Sequence, residues 1–369
     1  MRKFLLLLPF CLWAAALSAQ NPERDTARMQ LEQLFNRLVR EKHFNGAMLV
    51  GDDKGVVFRR VSGYARLASR KKLDFNSQFE VASVSKQFTA VSVLMLQEAG
   101  LLSLDDSLER FFPYFPYHGI TVRQLLCHRS GLPDYLEFAP PYTSDLEPMD
   151  NEELLQMMVC MQPEPESAPD TRFSYSNTGY ALLAAIVERV SGQTFEDFVL
   201  RNIFEPLQMN GTRFYTEECR IASLNTIGHR RDKSVYERDA LSGVLGDKGV
   251  MTTVDDLYKW FFNIRLLVSD TMLQQAWSPQ NSDLDSCRNY GFGWRLSCDA
   301  SNDRLVYHGG LWNGNHCLMV YRPSDNTFLL FLSNWCNGAF QHRSDEVLEI
   351  MKNMHKPLDS AKSEGCSEW

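Results

Sequence analysis

The stretch that decides the fold is "FEVASVSKQFTA", residues 79–90, where two serines and a lysine stand directly before an apolar run. The run itself, "AVSVLMLQEAG" (90–100), is mostly apolar and ends in glycine, a residue that commonly follows the end of a helix. It predicts a buried helix over 85–99. The serines and the lysine then lie at the N-terminus of that helix.

The spacing S-x-x-K predicts a nucleophile with its base. Ser83 and Lys86 are three residues apart, so they share one face of a helical turn and Lys86 Nζ can reach Ser83 Oγ. The helix N-terminus presents unpaired N–H groups and a partial positive charge, which favour a serine alkoxide and disfavour an ammonium. A helix cap is the alternative, but neither Ser83 nor Ser85 has Glu or Gln three residues later to form a capping box. The same spacing recurs at Ser69 and Lys72 in a basic, surface-like stretch, and we interpret Ser85 as an ordinary helix-start residue.

Strand-like segments lie near both ends of the chain, with a long helical region between them. We expect an α+β fold (an α/β sandwich) in which N- and C-terminal segments form one antiparallel sheet flanked by helices. The domain is predicted over 24–356, with sheet regions at about 44–84 and 241–356, an inserted helical region at about 85–240, and a flexible tail over 357–369. The individual strands are predicted over 46–51, 55–67, 290–298, 304–310, 315–323 and 326–334, and further helices over 25–42, 178–190 and 343–354.

The first residues, "MRKFLLLLPFCLWAAALSAQ", have the composition of a secretory signal peptide. Arg2 and Lys3 give a positive start, and Ser18 or Ala19 is the expected cleavage site; an uncleaved anchor is less favoured because the apolar stretch is short for a membrane span. The net charge of −8 becomes −10 without residues 1–19, which hold two basic and no acidic residues. We therefore expect a periplasmic or secreted protein that binds no nucleic acid and has no stable membrane insertion after cleavage.

Eight cysteines remain after cleavage, an even number that permits disulfides in an exported protein without defining their pairing. Cys287 and Cys298 flank a predicted strand and are the first pair to test. Cys127 and Cys160 lie in apolar helical patterns and are expected to be buried hydrophobic residues. The sequence has no C-x-x-C and no histidine cluster with metal-ligand spacing, so we expect neither a metal nor a cofactor.

A single Y-x-N occurs in "FSYSNTGYALL" (173–183). The phenol of Tyr175 can relay a proton to a leaving group if it lies near Lys86. The structural alternatives are a core tyrosine at Tyr175 and a helix cap at Asn177.

A single H-x-G occurs in "RLVYHGGLWNG" (304–314). Glycines after His308 allow a ligand to approach the backbone closely. The N–H of Leu311 can then join that of Ser83 in donating to an oxyanion. As an alternative, His308 is an edge-strand residue beside a turn.

The order S-x-x-K, Y-x-N, H-x-G resembles that of the serine β-lactamase and penicillin-recognising enzyme superfamily. It is most similar to the branch with class C β-lactamases, D-Ala-D-Ala carboxypeptidases, D-aminopeptidases and family VIII esterases. Three landmarks agree with this resemblance, which spans about 45–340. "LLCHRSGLPDY" (125–135) is similar to the L-L-x-H-x-S-G-L loop, "GDKGVMTTVDDLYKW" (246–260) to the G-x-G-G-x-x-[ST]-T-x-x-D-L segment, and "YGFGWRL" (290–296) to the Y-G-x-G-W strand.

The resemblance implies a role for each motif residue. Ser83 would form the acyl-enzyme, Lys86 would activate it, and Tyr175 would shuttle the proton and help to activate the deacylating water. Asn177 would contact the substrate amide or hold Lys86. The substrate-binding and oxyanion residues would be His308, Gly309, Gly310 and Leu311.

The chain also departs from the family pattern. Many relatives have a hydroxyl residue, which binds a substrate carboxylate, where this chain has Gly309, and a lysine where it has His308. An unperturbed histidine is fully charged only below its pKa of about 6.5, so recognition of a carboxylate-bearing β-lactam is not expected to be efficient. Asp247 and Lys248 stand where small residues are common, and His128 of the loop landmark is expected to be structural.

These patterns predict a serine hydrolase that cleaves an amide or ester through a covalent acyl-enzyme. Its substrate would be a small molecule, a peptide or an ester, including cell-wall peptide, and peptidase or esterase activity is favoured over efficient β-lactamase activity. The alternative is a non-catalytic protein that binds or senses cell-wall fragments, which would not need the complete Ser83, Lys86 and Tyr175 set. The sequence contains no G-x-S-x-G, H-E-x-x-H or G-x-x-x-x-G-K for other catalytic plans.

Overall fold

The computed structural model describes residues 21–139, 148–215 and 226–355. Within these ranges the strands are β1 Gly46–Asp52, β2 Gly55–Ser62, β3 Tyr64–Arg66, β4 Lys71–Lys72, β5 Phe79–Glu80, β6 Arg213–Phe214, β7 Val250–Thr252, β8 Arg288–Tyr290, β9 Arg295–Cys298, β10 Arg304–Trp312, β11 Asn315–Arg322 and β12 Thr327–Ser333. Seven of them form an antiparallel sheet in the order β2-β1-β12-β11-β10-β9-β8. Two small sheets pair β3 with β4 and order β5-β7-β6.

The helices lie on both sides of the large sheet. They are α1 Pro22–Lys42, α2 Lys86–Glu98, α3 Leu108–Phe111, α4 Val122–Leu126, α5 Tyr135–Phe138, α6 Asn151–Met161, α7 Asn177–Ser191, α8 Phe195–Val199, α9 Val254–Asn263, α10 Asp270–Ala276 and α11 Ser344–His355. Helices α1 and α11 pack together against one face of the sheet, and the remaining helices form the other side with the inserted region.

The strand β12, "TFLLFLS", is buried along its whole length because both faces of the sheet are covered. Successive side chains of a strand point to opposite faces. Accordingly Phe328, Leu330 and Leu332 pack with the helical region, whereas Leu329 and Phe331 pack under α1 and α11. The unbroken apolar run therefore reflects a sheet between two hydrophobic layers.

The expected α+β fold, with one antiparallel sheet built from N- and C-terminal segments, is confirmed. The predicted strand over 55–67 is interrupted at Gly63, where φ is +98° and an added Cβ would lie 1.9 Å from Asn45 Oδ1. The predicted leader (1–19) and tail (357–369) lie outside the described residues. No described helix combines the length and apolar character needed to cross a membrane.

The cysteine predictions have a mixed outcome. A disulfide joins Cys287 to Cys298, as expected, and it links the residue before the edge strand β8 to the end of the neighbouring strand β9. Cys127 is buried as expected, but the prediction of a buried Cys160 is wrong, because α6 turns Leu154, Leu155 and Met158 to the core and leaves Cys160 exposed.

Candidate active site

A short 3₁₀ turn, Ala82–Ser85, carries the predicted nucleophile between β5 and α2. Its neighbours hold it firmly: Val81 N donates to Val250 O at 3.0 Å, and Ser85 Oγ accepts from Val250 N at 3.2 Å. Ala82 has a φ of +47°, a left-handed conformation that is uncommon for a residue with a Cβ. Ser83 is the partly exposed residue of this turn, whereas Ser85 is buried and bonded to backbone, which matches the ordinary role expected for it.

Lys86, the first residue of α2, is completely buried, and its amine reaches three acceptors. Nζ donates to Ser83 Oγ at 3.2 Å, to Asn177 Oδ1 at 2.7 Å and to the main-chain oxygen of Asp247 at 3.0 Å. All three acceptors are uncharged, and in the described part of the chain Lys86 forms no ion pair. An amine that contacts the serine hydroxyl and has no carboxylate partner is placed to accept the proton of that hydroxyl, as a general base does.

Asn177 holds the other side of Lys86 and is itself held by Asp134. Asp134 Oδ2 accepts from both Asn177 N, at 3.1 Å, and Asn177 Nδ2, at 2.7 Å. Because Nδ2 faces the carboxylate, Oδ1 must face the amine of Lys86. The interpretation of Asn177 as a helix cap is wrong: α7 begins at Asn177 itself, Ser176 stands before it, and the Asn177 side chain is occupied by these two contacts.

Tyr175 lies next to Lys86, between aromatic rings and two cations. Its ring packs on His128 with centroids 4.1 Å apart, and Lys86 Nζ is 5.1 Å from its ring centre. His128 is buried and its Nδ1 accepts from Ser176 N, which fits the structural role expected for it. Burial, reinforced by the charge of Lys86, holds the pKa of His128 well below its ordinary value.

His308 is fixed as a neutral imidazole. Nδ1 lies 2.6 Å from Gly309 O, and because a carbonyl can only accept, Nδ1 carries the proton. Nε2 therefore accepts from the hydroxyl of Tyr290 at 3.1 Å. Burial holds the pKa of His308 well below its ordinary value, and the nearby Arg295 and Lys86 act in the same direction. The structure thus buries the His308 ring and gives it no charge with which to bind a carboxylate.

The glycines after His308 bring the end of β10 against the turn that carries the nucleophile. A Cβ added at Gly310 would lie 2.2 Å from Val81 O, so only glycine fits there. Gly309 faces open space, with Cys317 O at 3.5 Å as its nearest neighbour. Leu311 directly follows Gly310 on β10 and exposes 58% of its surface.

Arg295 is a residue of this site that the sequence did not identify. The register of β9 against β10 pairs it with Tyr307, next to His308. Its guanidinium carbon lies 4.8 Å from the Tyr175 ring centre and 5.8 Å from that of Tyr290. Within the described ranges Arg295 has neither a carboxylate partner nor a side-chain hydrogen bond. A partly exposed, unpaired guanidinium is suited to bind a carboxylate.

The second S-x-x-K is not part of the site. Ser69 and Lys72 are both exposed, in the turn and strand next to β3, and no helix brings them together. No group of three or more metal-ligating side chains occurs in the described ranges.

Comparison with known proteins finds similarity along most of the chain. The family model described as Beta-lactamase matches residues 31–350. A curated penicillin-binding protein of Bacillus subtilis is 32% identical over 332 residues, covering 84% of this chain and 72% of that protein.

Two solved structures share the fold at lower identity. The penicillin binding protein of Bacillus halodurans superposes with a TM-score of 0.74 at 24% identity, covering 86% of this chain and 98% of its own. The D-amino acid amidase of Ochrobactrum anthropi superposes with a TM-score of 0.75 at 22% identity, covering 91% of this chain and 100% of its own.

Proposed function

The chain belongs to the beta-lactamase family, a family of penicillin-recognising serine hydrolases, and from this premise we propose that it hydrolyses an amide or ester through an acyl-enzyme on Ser83. The observation that carries the proposal is the contact between Lys86 Nζ and Ser83 Oγ at 3.2 Å, made by a buried amine with uncharged acceptors.

In the acylation step Lys86 takes the proton of Ser83 Oγ while Oγ bonds to the substrate carbonyl carbon. The backbone N–H groups of Ser83 and Leu311 donate to the oxyanion that forms. The carbon–nitrogen or carbon–oxygen bond to the leaving group then breaks, and Tyr175 passes the proton from Lys86 to the leaving group. Water, activated by the same pair, cleaves the acyl ester, releases the acid product and restores Ser83.

Arg295 supports a substrate with a carboxylate near the scissile bond. The missing hydroxyl at Gly309 and the neutral His308 remove two means of binding such a group, but the free guanidinium of Arg295 beside Tyr175 supplies another. We therefore favour a carboxypeptidase-like activity on a peptide that ends in a free carboxylate, with esterase activity on small esters at the same nucleophile. The D-amino acid amidase among the structural neighbours makes D-configured amides a second class to test.

A non-catalytic binder of cell-wall fragments is the competing function. Lys86 contacts both Ser83 and the ring of Tyr175, and a binding protein has no need of a buried amine in contact with a serine. Mass spectrometry after exposure to short esters, D-Ala-D-Ala peptides, D-amino-acid amides and penicillins tests the two functions together. We expect product from the peptides or esters and a mass increase on Ser83; binding of peptides without either would support the competing function.

We also propose that the protein is exported to the periplasm or secreted. The disulfide between Cys287 and Cys298 supports an oxidising compartment, and residues 1–19 have the composition of a signal peptide. The N-terminal residue of protein isolated from the producing cells tests this: a start near residue 19 or 20 is expected, and an intact Met1 would contradict it.

A further inference from the structure

Asp247 and Lys248 form a buried ion pair next to Lys86, at positions where the family resemblance leads one to expect small residues. Their side chains are 2% and 3% exposed, and Lys248 Nζ lies 3.4 Å from Asp247 Oδ1. The main-chain oxygen of Asp247 accepts a hydrogen bond from Lys86 Nζ at 3.0 Å. The pair is therefore attached directly to the proposed base, yet it is too deeply buried to contact a substrate.

The ammonium of Lys248 is enclosed on all its donor positions. It donates to Tyr135 Oη and to Val244 O, the latter at 3.1 Å, and to the Asp247 carboxylate. Tyr135 Oη donates in turn to Asp247 Oδ2 at 3.1 Å. The ring centres of Tyr135 and Trp312 lie 5.0 and 5.2 Å from Lys248 Nζ, within the range of cation–π attraction.

Three of these contacts lead to parts of the active site. Asp247 offers its main-chain oxygen to Lys86, and Trp312 directly follows Leu311, whose N–H is the proposed oxyanion donor. Tyr135 directly follows Asp134, which orients Asn177 against Lys86. One buried cation thus contacts Asp247, whose main-chain oxygen binds the base, and the direct chain neighbours of Asp134 and of Leu311.

We propose that Lys248 is a positioning residue that holds the amine of Lys86 and the Leu311 end of β10 in one fixed arrangement. A buried charge is costly unless all its partners stay in place. Any shift of Asp247 or Trp312 would leave Lys248 partly unpaired, so the cluster resists the small displacements that cost reaction rate. This inference rests on the proposed function and adds to it a positioning role for Lys248.

The test compares wild type with Asp247→Asn/Lys248→Met, which removes both charges together and keeps side chains of similar size. The measurements are the rate at which a fluorophosphonate labels Ser83, and kcat and KM for p-nitrophenyl acetate. We expect labelling and kcat to fall at least about 10-fold while KM changes less than about 2-fold, because Lys248 does not touch the substrate. Tyr135→Phe, which removes one hydroxyl from the cluster, is the milder variant and should lower kcat about 3-fold or more at unchanged KM.

The matched control is Arg322→Met/Asp325→Asn, which removes another buried ion pair at the far end of β11 from the site. It should label at the wild-type rate. The inference is overturned if the folded Asp247→Asn/Lys248→Met or Tyr135→Phe protein labels as fast as wild type, or if the control slows equally. None of these results contradicts the proposed function, which an unlabelled wild type or undiminished labelling of Ser83→Ala would contradict.

Discussion

The guanidinium carbon of Arg295 lies 4.8 Å from the centre of the Tyr175 ring, so a cation without a carboxylate partner in the described ranges borders the proposed proton shuttle. This relationship changes what the H-x-G motif implied. His308, which stands where many relatives have a lysine, is buried and neutral, and a positive charge beside it comes from Arg295 on the neighbouring strand. A search for motifs cannot detect such a replacement, because the residue that supplies the charge is at a different position.

Arg295→Met should impair a substrate with a free carboxylate far more than a neutral ester. A hydrogen bond to a charged group contributes about 1.5–3 kcal/mol, which corresponds to roughly a 10- to 100-fold lower kcat/KM. We expect this loss on a peptide ending in D-Ala-D-Ala and less than about a 3-fold change on p-nitrophenyl acetate. Arg304→Met, at the exposed start of β10, is the control. Equal losses on both substrates would show that Arg295 does not bind the carboxylate.

Gly309 and Gly310 should differ sharply in their tolerance of a side chain. A Cβ at Gly310 collides with Val81 O at 2.2 Å, whereas Gly309 has no neighbour closer than 3.5 Å. Gly310→Ala should therefore lose about 1–3 kcal/mol of unfolding free energy and most of the activity, since it pushes β10 from the nucleophile. Gly309→Ala should keep both near wild type. Urea unfolding and esterase assays of the two variants check this, and similar behaviour of both would contradict the close approach of β10 to the turn.

Gly309→Thr should change the substrate specificity of the protein in favour of penicillin. The open space at Gly309 has room for a hydroxyl side chain, which relatives use to bind a carboxylate. We expect acylation of Ser83 by penicillin to become faster in this variant by about 10-fold, the contribution of one hydrogen bond to a charged group. Intact-protein mass spectrometry over time measures the rate, and Gly309→Ala is the control. An unchanged rate would mean that the missing hydroxyl does not limit β-lactam recognition.

The buried histidines should make the protein less stable in mild acid. His128 and His308 are held neutral in the fold because burial lowers the pKa of each, whereas in the unfolded chain they take up protons near pH 6.5. The unfolded state therefore binds more protons below that pH, and the free energy of unfolding falls as pH drops from 7 towards 5. Each histidine contributes a slope of up to about 1.4 kcal/mol per pH unit.

Urea unfolding of His308→Gln at pH 5, 6 and 7 tests this, with exposed His342→Gln as the control. The first variant should show a shallower loss of unfolding free energy towards pH 5, and the control should keep the wild-type slope. If His308→Gln retains the full slope, His308 is not neutral in the folded protein.

The sequence predicted those parts of the site whose geometry is set within a single helix or strand. The apolar run after Lys86 requires a buried helix, and the three-residue spacing then sets the contact between Ser83 and Lys86. The apolar run of β12 and the glycines after His308 are likewise short-range patterns that the sequence shows directly. The large sheet could be predicted because strand-like segments lie near both ends of the chain.

What the sequence did not show depends on contacts between distant segments. Asp134 reaches Asn177 across 43 positions, and Asp247 offers a main-chain oxygen to Lys86 across 161. Main-chain acceptors leave no signature in residue type. Arg295 enters the site only through the register between β9 and β10, which single-strand patterns do not specify. Cys160 was predicted to be buried but is exposed, because an apolar pattern does not identify which face of α6 meets the core.

The central claim is that Ser83 is the nucleophile and Lys86 its base, and labelling by a fluorophosphonate followed by intact-protein mass spectrometry tests it most directly. We expect one adduct on wild type, located to the peptide containing Ser83, and none on Ser83→Ala or on Lys86→Arg, whose guanidinium cannot act as a base at neutral pH. Ser85→Ala, which alters the neighbouring buried serine, should still be labelled. An unlabelled wild type, or undiminished labelling of Ser83→Ala, would contradict the claim.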